Sequence, residues 1–561
     1  MKTILKLILP AVLLSISAGS FAQSISSEMA KRIDSLFKKW DSKTTPGYAI
    51  GVVRNDSLIY AKGYGMANLE YGVPITPETI FHMASVSKQF TAFSIILLAR
   101  QGKLNLDDDI RKYLPWFPDL KQKITVRNLL THTSGIRDQW QLLAIAGTRL
   151  DDVITQDQIV KVLSKQQALN FKPGDEWSYS NSGFTMLAEI VKSVTGKTLR
   201  QFTDSVIFKP LGMTHTHFHD DYTEIVPGRA YSYEEDGKGH YSNDILSYSN
   251  DGATSLFTNV DDMSKWLMNF YDHKVGDQKD IEQLTQKAVL NNGKVQGYAM
   301  GIAVDDYRGY QLYSHGGADA GYRTFVGVLP EVKMGFIVFC NLGDSDPQGK
   351  ARQIADLFIP DHSPKKTAQK KKYTDQDQAI LADTVSLKPF MGDYISDDGL
   401  HFGYRIKNKK LYWIAPNGNN NLLVKAAKDT FESFNQPEVK FSFSVNGRKK
   451  VVVDEFWPNN HRLLVKYDTT SKPDKALLAY TGKYYCPELD CSYSIVLKDH
   501  HLVLTNAKYD DTPLKLYGDD LLHDNFWWMD NLSIVRNAEN KITGFEINSG
   551  RVMHVWFKKV E

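Results

Sequence analysis

The sequence predicts an α+β domain followed by two small antiparallel β modules, and three observations carry this prediction. Up to about residue 360, apolar helical patterns such as Ser85–Arg100 alternate with strand-like runs such as Tyr48–Arg54. Beyond residue 385 helical periodicity almost disappears, and short alternating runs are separated by Asn, Gly and Asp turns. Between the two parts, the polar, lysine-rich segment 361–384 is typical of an inter-domain linker, although a solvated surface helix has a similar composition.

The composition is that of a globular protein. Of the 561 residues, 42% are hydrophobic and 24% are charged, which excludes wholesale disorder. The 67 basic and 65 acidic residues give a formal net charge of +2. Because nucleic-acid-binding proteins carry a clear basic excess, we expect no nucleic-acid partner.

Residues 1–22 predict a secretory signal peptide. Lys2 and Lys6 precede the apolar run Leu7–Leu14, and small residues end the segment at Ala22. The alternative is an uncleaved membrane anchor, but this run is shorter than the roughly 20 residues that a spanning helix needs. No later segment of the sequence is long and apolar enough to span a bilayer, so we expect a secreted, periplasmic protein.

The first domain is expected to span 23–360, and the tail to form β modules at 385–470 and 475–561. A weak internal repeat supports the pair, since Phe390-Met-Gly-Asp-Tyr394 is echoed by Tyr480-Thr-Gly-Lys-Tyr484. Several short strands at regular spacing are typical of barrels or sandwiches.

The three cysteines predict one disulfide. Cys486 and Cys491 flank a short turn between two strand ends, where export would permit a bridge; two reduced thiols are the alternative. Cys340 ends the apolar run Gly335–Cys340 and is expected to be buried and inert. These spacings do not form a metal site, and we expect neither a metal nor a cofactor.

The first candidate for chemistry is Ser85, which begins a predicted helix with Lys88 one turn later. A desolvated lysine amine within hydrogen-bond reach can remove the proton of a serine hydroxyl. The spacing alone is weak, because Ser35 and Lys38 repeat it. Taken alone, Ser85 is better explained as a helix N-cap than as a nucleophile.

Two further motifs follow along the chain. In the loop before a helix predicted at Phe184–Val194, Tyr179 beside a cation would lose its proton more readily and Asn181 would orient a carbonyl. Tyr-Ser-Asn also occurs at Tyr241 and Tyr248, so only the Pro-Gly turn and the helix single out Tyr179.

The third motif is the run Ser314–Tyr322, which contains His315, Gly317 and Ala318. Its glycines permit a close backbone approach to a substrate, and an exposed N–H there would stabilise an oxyanion. By itself, the run is also explained as a glycine-rich turn between strands.

Taken together and in this order, Ser-x-x-Lys, Tyr-x-Asn and His-x-Gly resemble the serine β-lactamase and penicillin-binding-protein superfamily. The closest likeness is its class-C-like branch of D-aminopeptidases, DD-carboxypeptidases and esterases. The resemblance covers about 30–360 and extends to Leu129–Gly135 and Gly252–Met263, segments typical of that branch. It implies a β-lactamase/transpeptidase-like fold, a five-stranded antiparallel sheet flanked by helices. The tail resembles the C-terminal lipocalin-like barrels of some members.

Carried over by motif, the resemblance implies that Ser85 is the acylated nucleophile, Lys88 its base and Tyr179 the proton shuttle. It also implies that Asn181 binds the substrate amide and that the N–H groups of Ser85 and Ala318 form the oxyanion hole. The implied substrate-binding residues are Asn181, His315, Gly317 and Ala318. Many β-lactamases have a lysine at the place of His315. A neutral imidazole attracts a substrate carboxylate less well, so β-lactamase activity is the weaker alternative.

These features predict an exported serine hydrolase that cleaves an amide or ester. Substrates of the expected kind are D-residue-containing peptides, peptidoglycan fragments and small esters. The rival is a catalytically silent binding or scaffold protein with the same fold. The enzyme is favoured because Ser85, Lys88 and Tyr179 are all present. The oligomeric state stays open.

Overall fold

A computed structural model describes residues 25–363, 384–396, 400–415, 419–427, 430–447, 450–457, 460–467, 472–524 and 526–560. The predicted signal peptide over 1–22 and most of the predicted linker over 361–384 lie outside these residues. Within the described ranges, no helix is long and apolar enough to cross a bilayer.

The first domain mixes helices and strands. Its helices are α1 Ser27–Phe37, α2 Lys88–Arg100, α3 Val126–Leu130, α4 Gln139–Ile145, α5 Gln156–Leu163, α6 Asn181–Thr195, α7 Leu199–Thr203, α8 Lys209–Leu211, α9 Val260–Asp272, α10 Gln278–Leu284 and α11 Pro347–Phe358. Its strands are β1 Tyr48–Arg54, β2 Ser57–Tyr64, β3 Met66–Asn68, β4 Val73–Pro74, β5 Phe81–His82, β6 Ile154–Thr155, β7 His217–Phe218, β8 Tyr233–Glu235, β9 Tyr241–Asn243, β10 Tyr248–Ser249, β11 Leu256–Thr258, β12 Ala303–Tyr307, β13 Tyr310–Asp319, β14 Tyr322–Leu329 and β15 Met334–Cys340.

The central sheet has six antiparallel strands in the order β12–β13–β14–β15–β1–β2, not the five that the resemblance implied. At one edge, β12 and β13 are joined by a two-residue turn at Arg308 and Gly309, with φ of 56° and 83°. Positive φ at both turn positions matches the natural twist of a tight hairpin. This turn lets β12 extend the sheet by hairpin pairing.

Helices cover both faces of the sheet, which explains why its inner strands are apolar throughout. Along β1, Ala49 and Val53 pack into a core shared with α2 and α9. Tyr48, Ile50 and Val52 point to the opposite face, into a second core with α1 and α11. The predicted α+β layout is confirmed.

The tail forms two closed eight-stranded antiparallel barrels, as the sequence predicted. In the first, helix α12 Thr384–Leu387 precedes β16 Gly392–Ser396, β17 His401–Lys407, β18 Lys410–Ile414, β19 Asn420–Lys425, β20 Thr430–Ser433, β21 Lys440–Val445, β22 Val451–Trp457 and β23 Asn460–Tyr467. In the second, helix α13 Asp474–Leu477 precedes β24 Gly482–Cys486, β25 Cys491–Lys498, β26 His501–Asn506, β27 Tyr509–Tyr517, β28 Leu521–His523, β29 Asn531–Arg536, β30 Ile542–Ser549 and β31 Val552–Lys559.

The internal repeat marks the entry into each barrel. The Tyr394 hydroxyl donates to the Phe390 carbonyl at 2.7 Å, and the Tyr484 hydroxyl donates to the Tyr480 carbonyl at 2.6 Å. In both copies the bond spans four residues and fastens the turn that leads into the first strand. The repeated sequence is therefore explained by a repeated structural role.

The second barrel packs directly on the first domain, and apolar residues of both share one hydrophobic core. Arg137, whose side chain is fully buried, forms an ion pair with Glu488 of the barrel. Gln141 of α4 donates from Nε2 to the carbonyl of Ser549, at the end of β30, over 2.6 Å. The β30–β31 turn is thus held against the first domain.

The expected disulfide is not formed. Cys486 and Cys491 lie directly opposite each other across the β24–β25 hairpin, but both are free thiols. The Cys491 thiol instead donates to the Ile145 carbonyl of the first domain over 3.6 Å. Cys340 is buried in β15, as predicted.

Candidate active site

Ser85 lies on a 3-10 turn, Ala84–Ser87, that joins β5 to α2, so the α-helix begins at Lys88 and not at Ser85 as the sequence suggested. Ala84, just before it, has a φ of 47°, a left-handed conformation that non-glycine residues seldom adopt. Such strain persists only where the surroundings enforce it and is frequent at active sites. The Ser85 hydroxyl accepts a hydrogen bond from Lys88, a contact that a simple helix cap does not explain.

Lys88 is fully buried and its amine is held by three oxygen atoms. Nζ lies 3.0 Å from Ser85 Oγ, 2.9 Å from Asn181 Oδ1 and 2.7 Å from the Ala253 carbonyl. Burial lowers the pKa of Lys88 to about 7, although Asp319 and Asp138 act in the opposite direction. The protonated amine donates to all three oxygen atoms. Once neutral, it keeps two N–H groups for Asn181 and Ala253, and its lone pair accepts from the Ser85 hydroxyl.

Tyr179 stands next to this pair, and the Ser85 side chain acts to lower the pKa of its phenol. Two basic groups lie close to its ring, since the Lys88 amine and the Arg551 guanidinium are each 4.9 Å from the ring centre. Burial nevertheless raises the pKa of Tyr179, so the expectation of easier proton loss was wrong for the resting site. Desolvation of the phenolate outweighs the influence of Ser85 and of the Arg551 charge, and the phenol is ready to donate a proton.

The other Tyr-Ser-Asn tripeptides lie elsewhere. Tyr241 belongs to strand β9, and the buried ring of Tyr248 stacks on Trp140 with centroids 4.9 Å apart. The structure therefore brings only the Tyr179 copy to Ser85 among the three.

Asn181, at the start of α6, is oriented by a residue that the sequence analysis did not single out. Its backbone N–H and its Nδ2 both donate to Asp138 Oδ2 at 2.8 Å, while Oδ1 faces Lys88. Asp138 also accepts from the Trp140 N–H at the start of α4. In the sequence this aspartate has only the signature of a helix cap, so its second role was hidden.

Strand β13 brings Gly317 against the nucleophile turn. A Cβ at Gly317 would lie 2.2 Å from the Met83 carbonyl, so only glycine permits this approach. The Thr324 hydroxyl of β14 also donates to the Met83 carbonyl over 2.9 Å. Ala318 directly follows Gly317 on this strand, beside the turn that carries Ser85.

His315 is neutral and both of its ring nitrogens are engaged. Nδ1 donates to the Gly316 carbonyl over 2.6 Å, and Nε2 accepts from the Tyr298 hydroxyl over 2.9 Å. Burial and the nearby Lys88 amine lower the pKa of His315 to about 3. The imidazole therefore holds Tyr298 in place and carries no charge for a substrate carboxylate.

A permanent cation reaches the site from the second barrel instead. Arg551 lies in the turn between β30 and β31. Its backbone N–H donates to Gln141 Oε1 over 2.9 Å. Its carbonyl accepts from Asn170 Nδ2 over 2.8 Å and from the Asp138 N–H over 3.3 Å. Sequence reasoning missed Arg551, because a single arginine in a distant hairpin carries no pattern.

A cleft of about 1400 Å³ lies among the first domain and both barrels. The first domain contributes Trp177 and Ser178, immediately before Tyr179, and the first barrel contributes Ile395. The second barrel contributes Gly550 and Met553, on either side of Arg551. Its lining thus includes the residues just before Tyr179 and on either side of Arg551, whereas Ser85, Lys88 and Tyr179 are not among the lining residues.

Comparisons with known proteins agree with this geometry. Residues 29–359 match the Beta-lactamase family. The chain is 25% identical over 447 residues to a penicillin-binding protein of Bacillus subtilis (strain 168), covering 76% of this chain and 96% of that protein. It is 24% identical over 451 residues to a D-aminopeptidase of Gluconobacter oxydans (strain 621H), covering 79% of this chain and 80% of that protein.

The octameric penicillin-binding protein homologue from Pyrococcus abyssi shares the fold, with a TM-score of 0.54 and 24% identity over 78% of this chain and all of that one. The sheet flanked by helices, the Ser85–Lys88–Tyr179 cluster between them and the family match over more than half of the chain lead to one conclusion. The chain belongs to the Beta-lactamase family and is a serine hydrolase of the type that includes penicillin-binding proteins and D-aminopeptidases.

Proposed function

We propose that this enzyme hydrolyses an amide bond in a peptide or amino-acid amide through an acyl intermediate on Ser85. One observation carries the proposal: the buried Lys88 amine lies 3.0 Å from Ser85 Oγ and its pKa is lowered to about 7. Near neutral pH the unprotonated amine is then populated and can accept the serine proton. The D-aminopeptidase similarity supports an amide as the bond that is cleaved.

In acylation, neutral Lys88 removes the proton of Ser85 Oγ as Oγ bonds to the substrate carbonyl carbon. The carbonyl oxygen becomes an oxyanion, for which we assign the N–H groups of Ser85 and Ala318 as donors. Tyr179 then donates its phenolic proton to the leaving nitrogen as the C–N bond breaks. Lys88 then passes the serine proton to the Tyr179 phenolate, so both residues return to their starting protonation states.

Deacylation repeats these steps with water. Tyr179 and Lys88 together remove a proton from water as its oxygen attacks the acyl carbon, and the bond to Ser85 Oγ breaks. Oγ regains a proton, and the carboxylic acid product leaves. Asn181, fixed by Asp138, is assigned to hold the substrate amide on the opposite side of Ser85.

Two features bear on the substrate class. Neutral His315 favours substrates without a free carboxylate, such as amino-acid amides and short acyl esters. Arg551, 4.9 Å from the Tyr179 ring, offers a separate cation, so we propose that carboxylate-bearing peptides also bind, through Arg551. Because neutral His315 offers no charge for the carboxylate of a β-lactam, a β-lactam ranks below a peptide amide as a substrate.

The cleft supports a substrate longer than an amino-acid amide. Typical small-ligand pockets measure roughly 300–1,000 Å³, whereas this cleft holds about 1400 Å³. We propose that it takes a D-residue-containing peptide or a peptidoglycan fragment. The leader predicted at 1–22 favours export to the periplasm, where such fragments occur.

Covalent labelling separates the enzyme from the rival, a silent binding protein. A fluorophosphonate probe should label the wild type, and Ser85→Ala should abolish the labelled band. The matched control is Ser35→Ala, since Ser35 has the same spacing to Lys38 but bonds to the Arg32 carbonyl. Labelling that survives in Ser85→Ala would reject this nucleophile, and an unlabelled, well-folded wild type would favour the rival.

A further inference from the structure

A cluster of two histidines and a glutamate lies outside the Ser85 site. His217 and His219 flank Phe218 on the small sheet β5–β11–β7, so both imidazoles leave the same side of the strand. Glu224 follows in the next loop. One ligand atom of each residue lies within 4.8 Å of the other two.

Three of the four imidazole nitrogens of this cluster lack a hydrogen-bond partner. His219 is 3% exposed, yet neither of its ring nitrogens has one, and Nε2 of His217 has none either. Leaving a buried polar atom unpaired costs roughly 1–3 kcal/mol, so such groups in native proteins call for an explanation.

We propose that His217, His219 and Glu224 bind a divalent transition-metal ion of the zinc type. Neutral imidazole nitrogens and a carboxylate oxygen are the donors that such ions prefer. His219 Nδ1 and His217 Nε2 lie 3.5 Å and 4.0 Å from Glu224 Oε2. Donor atoms of a tetrahedral zinc site lie about 3.4 Å apart, so small side-chain rotations close the set.

Neighbouring groups give the cluster an outer shell. Arg200 donates to both Glu224 oxygens at 2.6 Å and 2.7 Å and to Asp220 at 2.9 Å. Such bonds orient a ligating carboxylate while leaving it a lone pair for the ion. The Arg200 charge offsets part of the charge of Glu224 and Asp220, so the affinity should be moderate. Glu224 is one-third exposed, which leaves solvent access for a water ligand.

The ion would act as a positioning element for the catalytic domain. The His219 N–H donates to the Ser255 carbonyl over 2.8 Å, and the carbonyl of Ala253, two residues earlier, accepts from Lys88. Phe257 packs against both histidine rings, with centroids 5.9 Å and 4.7 Å away. The proposed ion would therefore brace the segment that holds the Lys88 amine, without touching substrate.

Metal binding is tested directly on the full chain, purified without a histidine tag. The wild type is stripped with a chelator, and Zn²⁺ is added in calorimetry, in a thermal melt and with Co²⁺ as a coloured substitute. We expect one ion per chain, a rise in Tm that saturates and visible Co²⁺ bands of a low-coordinate site. His217→Gln and Glu224→Gln should each weaken binding at least tenfold.

The matched control is His240→Gln, which alters an exposed histidine paired with Asp236 and should bind as the wild type does. Stripped variants that melt at the wild-type apo temperature show that folding is intact. Sub-stoichiometric metal with no saturable Tm rise would overturn the proposal. Binding that is equal in His217→Gln, Glu224→Gln and wild type would overturn it as well. Neither result bears on Ser85.

Discussion

Replacing Arg551 by glutamine should move the acid limb of the pH profile to higher pH. Lys88 must be neutral to act as the base, so kcat/KM should rise tenfold per pH unit below about pH 7 and level off above it. The Arg551 charge lowers the pKa of Lys88, whereas Asp319 and Asp138 raise it. Removing the guanidinium makes protonation of Lys88 easier and therefore raises its pKa.

The size of the shift follows from the geometry. Each cation lies 4.9 Å from the centre of the Tyr179 ring, so the two are at most about 9.8 Å apart. At that separation the repulsion is about 0.4 kcal/mol in a water-like dielectric and about 1.7 kcal/mol at an effective dielectric of 20. These energies correspond to a shift of roughly 0.3 to 1.2 pH units. Because Arg551 is exposed, added salt should reduce the shift.

The assay measures kcat/KM from pH 5 to 9 with a neutral acyl ester, so that no substrate group titrates in the range. The control is Arg536→Gln, which alters an arginine of the same barrel whose partners are Asp520 and Tyr480. The acid limb of the Arg536→Gln pH profile should stay at the wild-type position. A limb that stays in place or moves to lower pH in Arg551→Gln would refute the assignment of Lys88 as the titrating base, or of Arg551 as its neighbour.

Three further outcomes follow from the same structure. Tyr179→Phe should lower turnover of an amide by roughly 10²- to 10⁴-fold, the typical contribution of general acid–base catalysis. The control Tyr248→Phe should change turnover far less. Equal losses in the two variants would contradict the assignment of Tyr179. Lys88→Met should be more stable than the wild type in urea at pH 7. Because the unfolded lysine binds a proton that the native one releases above about pH 7, this advantage should shrink by about 1.4 kcal/mol per pH unit toward pH 10, and a constant gap would contradict the lowered pKa. Glu488→Ala leaves the buried Arg137 without its ion partner and should destabilise the protein by about 3–5 kcal/mol. The control Lys498→Ala removes an exposed pair with Asp511 and should cost under about 1 kcal/mol. Similar losses of stability in the two variants would argue against the buried pair.

Local pattern predicted the elements well, because helix and strand periodicity act over short stretches. The strand at Tyr48–Arg54 has the predicted bounds, and Ser85, Lys88, Tyr179 and Asn181 come together as the motif order implied. The helix after Tyr179 runs over Asn181–Thr195 and begins three residues earlier than predicted.

Long-range packing was beyond the sequence. Arg551 lies 466 residues after Ser85 in the sequence but close to Tyr179 in the structure. Asp138 has only the sequence pattern of an ordinary helix cap. Burial set the sign of the pKa shift of Tyr179, and burial depends on the assembled domains. The edge strand β12 depended on a turn conformation at Arg308 and Gly309 that their residue types alone do not specify.

The acyl-enzyme itself is the most direct test of the account. Tyr179→Phe should be mixed with an activated acyl ester, whose leaving group needs no proton, and quenched in acid during turnover. Deacylation depends on Tyr179, so the intermediate should accumulate. Mass spectrometry of the tryptic peptide Gly63–Lys88, which contains Ser85, should then show the added acyl mass on that serine. The absence of any adduct, or an adduct on another residue, would contradict the central claim.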